Sequence, residues 1–183
     1  MISNKNDLKE YILADMYFYH AMPSRDKFVS RLTHDPLYEI VKYLRLLRKE
    51  EYYFNCRKDK LGKMFGLSYL KQKNKLGNRL GFKIPRNTFG KGLMIYHHGS
   101  IIINENVSIG ENARLHGENC IGNNGRTEEV PRIGNNLDLG VGAKVIGGVT
   151  IGNDIRIGAN AVVIHSFSED HITLAGIPAK RVK

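Results

Sequence analysis

Two histidines stand side by side at His97 and His98, inside the string IPRNTFGKGLMIYHHGSIIINENVSIG, and His116 follows nineteen residues after His97. An imidazole exchanges its proton near neutral pH, so it is the side chain best suited to take the proton of an attacking hydroxyl. Neighbours in an extended segment point opposite ways, so only one of the adjacent pair readily faces a given cleft. No serine or cysteine beside them is placed as a nucleophile, so no covalent intermediate on the protein is expected. His20, His34, His165 and His171 have no companions at ligand spacing. The chain also lacks HExxH, CxxC and any carboxylate–histidine cluster, so no metal is expected.

The backbone that must hold these groups counts in sixes. Aliphatic residues fall at Ile103, Ile109, Leu115, Ile121, Ile133, Leu139, Val145, Ile151, Ile157 and Val163. Small or aliphatic residues recur two places earlier, at Ile101, Val107, Ala113, Leu137, Ala143, Val149, Ile155 and Ala161. A period of six fits neither a helix nor simple alternation. It fits a prism in which each hexad makes one side, eighteen residues make one coil, and coils stack roughly 4.8 Å apart. The corners GEN, GNN and GND suit the positive φ that Gly, Asn and Asp tolerate. The fold expected is therefore a parallel β-helix over residues 81–183. The phase slips by two residues between Ile95 and Ile103, so a bulge is expected at Tyr96–Gly99, where irregular backbone on a rigid scaffold can mount chemistry. The polar stretch NNGRTEEVPR, residues 123–132, should leave the prism as a loop.

The first 80 residues differ in texture and are expected to be a basic α-helical segment. Residues 1–90 hold 19 Lys or Arg against 9 Asp or Glu, whereas residues 91–183 hold 9 of each. Met22, Phe28, Leu32, Tyr38, Val41, Leu44 and Leu47 should form one apolar face, with Asp35-Pro36 opening a helix. Arg45, Arg48, Lys49, Arg57, Lys58, Lys60, Lys63, Lys71, Lys73 and Lys75 form a basic run interleaved with aromatics. This run reads as a solvated surface, or as a platform for an anionic membrane surface, an acidic glycan or a lipid-linked substrate. It follows no zinc-finger, RNP-like or GXXG pattern, so no nucleic-acid partner is expected. No run of apolar residues is long enough to span a membrane, and the charged N-terminus does not read as a signal peptide. Cys56 and Cys120 lie in unlike segments, which argues against a disulfide framework. A cytoplasmic protein, peripheral at the inner face of the membrane, is the expectation.

The strings IPRNTFGKGLMIYHHGSIII, PRIGNNLDLGVGAKVIGGVTIG, IRIGANAVV and AGIPAKRV resemble the serine acetyltransferase branch of the hexapeptide-repeat acyltransferases, over roughly residues 75–183. The resemblance implies a left-handed β-helix, acetyl-CoA as co-substrate, and a homotrimer with active sites between subunits. It places the catalytic histidine on His97 and a non-catalytic position on His98. His116, about one coil further on, is a second candidate for the site. Gly122, Val141 and Ala159 fall on coenzyme-binding positions, and their spacing of eighteen or nineteen residues would stack them in one row. Gly142 would leave room for the coenzyme arm, and Lys144, Lys180 and Arg181 would meet its phosphates. Arg126 of the loop would meet acceptor or coenzyme.

Several positions depart from the family pattern. The aspartate that partners the histidine is replaced by Phe82, which leaves the second nitrogen of His97 to a backbone carbonyl or Glu105. The residues that grip serine are replaced by Tyr96, Glu129 and Val130. A zwitterion would lose its charged partners, whereas Tyr96 and Glu129 could serve sugar hydroxyls. The expected activity is therefore acetyl transfer to a saccharide hydroxyl of a surface polysaccharide or its precursor. Serine O-acetylation is the alternative and an amino-sugar nitrogen comes third. A non-catalytic scaffold or a γ-carbonic-anhydrase-like enzyme using His97, His98 and His116 stands outside this class.

Overall fold

The computed structural model describes residues 1–182; Lys183, the last residue of the expected β-helical segment, lies outside them. Five helices come first: α1 (Lys5–Asp15), α2 (Tyr17–Ala21), α3 (Ser24–Leu32), α4 (Pro36–Cys56) and α5 (Lys60–Leu80). Local chemistry sets their ends. Asp35 caps α4 by accepting from Leu37 N, with Pro36 in the first turn, where a missing N–H costs nothing. Asp59 caps α5 through Gly62 N, and Gly81, at φ 82°, ends it in the left-handed conformation.

From Phe82 onward the chain winds as a left-handed prism with three parallel walls. The first wall stacks Phe82–Lys83, Ile101–Ile103, Cys120–Gly122, Lys144–Ile146 and Val162–Val163. The second stacks Ser108–Ile109, Arg132–Ile133 and Thr150–Ile151. The third stacks Met94–Ile95, Arg114–Leu115, Asp138–Leu139, Arg156–Ile157 and Thr173–Gly176, closed by the antiparallel Ala179–Arg181. The two inward rows read from the hexads are buried throughout, Ile103, Leu115, Leu139 and Val163 without measurable exposure. Asn119 is the polar member of those rows. It is buried, but its amide donates to the carbonyls of Gly140 and Ala143 and accepts from Gly117 N, so its polar groups are paired.

Strand pairing shows where the count departs from eighteen. Ile95 pairs with Leu115, twenty residues on, so two extra residues bulge between the third and first walls. Leu115 pairs with Leu139 and Ile121 with Val145, twenty-four residues on, because residues 123–131 form an excursion of one extra hexad. An insertion of six leaves the sequence phase unchanged while lengthening the coil.

The helices and the prism share one apolar core, running from Ile40, Tyr43 and Leu47 to Phe82, Leu93 and the inward rows. Their junction is ionic. Arg48, fully buried, lies 2.6 Å from Asp15 Oδ2 and 2.9 Å from Glu51 Oε2, and donates to the carbonyls of Phe89 and Gly90. Asp15 in turn accepts from Gly92 N and Leu93 N. Burial pushes the Asp15 carboxyl above its ordinary range even with Arg48 beside it. Lys73 makes a second buried pair, 2.6 Å from Glu50 Oε2, and donates to Ile84 O.

Two expectations for the helices change. The basic run is not one solvated face, because Arg48 and Lys73 are consumed by buried carboxylates. The apolar face is not continuous either. Val41, Leu44 and Leu47 are buried, but Phe28 and Leu32 are exposed, because α3 turns the side carrying Ser30 inward.

Candidate active site

The bulge Tyr96–Ser100 occupies the corner where the third wall passes into the first. Its backbone is pinned from both sides. Tyr96 N donates to Leu115 O in the coil below, while Gly99 N donates to Leu80 O and Ile101 N to Gly81 O at the end of α5. Helix α5 therefore sets the height of the bulge. A Cβ on Gly81 would come within 2.7 Å of Gly99 O, so only glycine allows this approach.

The same corner recurs below at residues 116–119, 140–143 and 158–161. Tyr96 sits over His116, with ring centroids 4.5 Å apart and planes 15° from parallel. His97 sits over Gly117, where an added Cβ would lie 3.6 Å from His97 Cβ. Gly142 N donates to Gly117 O and Asn160 N to Val141 O, which continues the column from Gly117 to Val141 to Ala159. His97 thus heads a vertical strip of small or half-exposed residues. Its ring is exposed and makes no hydrogen bond among the described residues, so the imidazole is free to meet a ligand.

His116 is differently placed. It is half-buried, and its Nε2 lies 2.8 Å from Asp138 Oδ1, which holds the ring under Tyr96. Arg156 Nε lies 3.6 Å from the other oxygen of Asp138. Beside this pair, on the outer face of the third wall, a cleft of about 310 Å³ is lined by Arg114, Asp138, Asp154 and Arg156. Asp138, Arg114 and Arg156 did not emerge from the sequence. The twenty-four-residue coil brings Asp138 under Arg114, diagonal to His116, whereas a count of eighteen would have placed Arg132 under Arg114.

The other candidates divide. Val141, Gly142 and Ala159 lie in the column below His97. Lys144 stands on the outer face of the first wall next to it, with Nζ 2.8 Å from Gly142 O. The expected row of Gly122, Val141 and Ala159 is corrected: Gly122 pairs with Ile146 at the far end of the first wall, and Gly117 takes the place above Val141. The excursion at 123–131 is the reason, since a nineteen-residue step across it does not return to the same corner. Lys180 is exposed in the closing antiparallel strand, and Arg181 pairs with Glu169 instead of standing free.

Arg126 and Glu129 lie on the excursion, where the first wall passes into the second, and not beside His97 within one chain. Glu129 rests against Gly148 of the next coil. Val130 packs against the core. Phe82 is buried edge-on against Tyr43, ring centroids 5.2 Å apart. Glu105 stands beyond the strand Ile101–Ile103, in the next corner, where it lines a cleft with Arg86 and Asn106, so it does not partner His97. Among the described residues no group of three His, Cys, Asp or Glu side chains is arranged to hold a metal ion. None of the described helices is long and apolar enough to cross a membrane.

No protein-family model matches the chain. Over 100 residues, 54% of its length, it is 35% identical to a serine acetyltransferase of Helicobacter pylori (strain J99), covering 58% of that protein. Over 101 residues it is 37% identical to a serine acetyltransferase of Staphylococcus aureus (strain Mu50), covering 47% of that protein. The chain thus spans about half the length of the curated relatives it matches. In three dimensions it superposes on a serine acetyltransferase in complex with CoA with a TM-score of 0.71 at 22% identity, covering 97% of this chain and 71% of the other. A soybean serine acetyltransferase complexed with serine gives 0.72 at 20% identity, covering 97% and 70%. These superpositions establish a shared fold.

Proposed function

We propose that the chain is an acetyl-CoA-dependent O-acetyltransferase in which His97 is the general base. The observation that carries this reading is the position of His97, exposed and unpaired at the head of the Gly117–Val141–Ala159 column. A pantetheine arm is a string of amides, and a corner of small residues lets it lie close to backbone N–H and C=O groups. Lys144 and Lys180 are the cations on this side for its phosphates. The imidazole of His97 takes the proton of the acceptor hydroxyl as that oxygen bonds to the thioester carbonyl carbon. Backbone N–H groups of the bulge would meet the developing oxyanion. The carbon–sulfur bond then breaks and the proton held by His97 can pass to the departing thiolate.

We further propose a homotrimer. Ile102 and Ile164 are exposed on or at the end of the first wall, and Val141 in the corner beside it, whereas the outer residues of the third wall include Arg114, Asp138 and Arg156. Packing this wall against a neighbour would bury apolar surface. It would also let the excursion of one copy, with Arg126 and Glu129, reach the bulge of the next.

The names of the relatives favour L-serine as acceptor. The cleft beside His116 supports this, since Asp138 offers a partner for an ammonium group and Arg114 and Arg156 for a carboxylate. These groups would supply charged partners that Tyr96, Glu129 and Val130 do not. A saccharide hydroxyl is the second reading, favoured by the flat Tyr96–His116 stack, which offers a face to a sugar ring. Steady-state rates at matched acetyl-CoA decide between them. The serine reading requires an efficiency with L-serine of about 10⁴ M⁻¹s⁻¹ or more. Turnover of glycan fragments or sugar nucleotides with inert serine would replace it by the second reading. No thioester turnover with any acceptor, and no binding of acetyl-CoA by calorimetry, would overturn both.

A further inference from the structure

The first half of helix α5 is amphipathic the wrong way round for a helix that only packs on its own protein. Its glycines face inward: Gly62, Gly66 and Gly77 are buried, and a Cβ on Gly66 would already touch the Phe54 ring at 3.3 Å. In its first turns the large apolar residues face outward, with Leu61 60%, Met64 55% and Leu67 58% exposed, whereas Leu76 and Leu80 near its end pack into the core. At 3.6 residues per turn, Lys60, Lys71 and Lys75 fall on this same outer side. The charge is equally one-sided. The sequence of α5 contains no Asp or Glu, and the three acids of α4, Glu39, Glu50 and Glu51, are all buried. The single exposed acid between the two helices, Asp59, is paired with Arg57.

We infer that the outer face of α5 docks on an anionic lipid surface. A helix lying in a membrane interface needs apolar side chains on the face that enters the headgroup region and cations around them. Leu61, Met64 and Leu67 supply the first, and Lys60, Lys71 and Lys75 the second. A cation near an anionic leaflet is attracted over roughly a Debye length. Docking of a second copy of the chain through this face is opposed by its own charge, since two acid-free surfaces would bring lysines against lysines. Docking would hold the acetyl-transfer site beside the membrane without crossing it.

Flotation of the full chain with vesicles tests this. Binding is expected to vesicles of phosphatidylcholine containing about 30 mol % phosphatidylglycerol, not to phosphatidylcholine alone, and should be lost as salt is raised. Lys60→Glu with Lys71→Glu should weaken binding about 25-fold or more. Met64→Ser with Leu67→Ser should weaken it about tenfold. Both pairs are exposed, and circular dichroism with acetyl-transfer rate serves as the check that the fold is kept. Absence of vesicle binding, equal binding to neutral vesicles, or binding indifferent to both double variants would overturn the inference. So would a lipid-free assembly that the apolar double variant alone breaks down, since the face would then join protein to protein.

Discussion

The Tyr96 ring lies flat on the ring of His116, and His116 is fixed at its Nε2 by Asp138, 2.8 Å away. In the proposed reaction this histidine would act as a support, with His97 as the base. His116→Ala and Asp138→Asn should each raise the acceptor KM by about tenfold, the worth of one charge-assisted hydrogen bond, with a smaller effect on kcat. A loss of kcat with His116→Ala as deep as that expected for His97→Ala would instead make His116 the proton acceptor.

The end of α5 reaches the site through Gly81. Gly81→Ala adds a Cβ that meets Gly99 O and forces a non-glycine residue to φ 82°. Stability should fall by about 1 kcal/mol. Turnover should fall by about tenfold or more, because a displaced bulge misplaces His97. Thermal melting and kcat measured on one preparation separate the two effects. An unchanged kcat would mean the bulge holds its shape without the helix.

The Arg48 cluster fastens helices to prism. Arg48→Met leaves Asp15 and Glu51 as buried carboxylates without their cation. Such a loss costs about 3 to 5 kcal/mol. Urea unfolding should show a midpoint shift of that order, and a shift under about 1 kcal/mol would mean the pairs are solvated in solution.

Asp59 gives a pH dependence of known sign. The hydrogen bond from Arg57, with the cap on Gly62 N, lowers its carboxyl to about 2. An unfolded aspartate titrates near 3.9, so the stabilisation is present above about pH 4 and is lost as pH falls toward 2. Melting temperatures of the wild type and Asp59→Asn should differ at neutral pH and converge near pH 2. A gap that persists at the acid end would assign the effect to something other than the charge.

The prism was legible because its signal repeats. Each hexad places an aliphatic residue inward, and the same choice recurs from Ile101 to Val163. The bulge was legible for the same reason, as a two-residue slip against a fixed beat. The column under His97 was only partly legible. An excursion of one whole hexad leaves the phase intact, so Gly117 was hidden behind Gly122 and Asp138 escaped notice. The ion network was hidden for a different reason. Arg48 and Lys73 look like any surface cation until Asp15, Glu50 and Glu51 are brought to them by packing between distant helices.

Release of free thiol from acetyl-CoA is the most direct test of the central claim, that His97 removes the acceptor's proton in a direct transfer. The assay is followed with the preferred acceptor, in the wild type, in His97→Ala and in His98→Ala. His97→Ala should lose about 100-fold or more of kcat while acetyl-CoA still binds by calorimetry, and His98→Ala should lose far less. Equal rates in His97→Ala and the wild type, or the larger loss in His98→Ala, would contradict it.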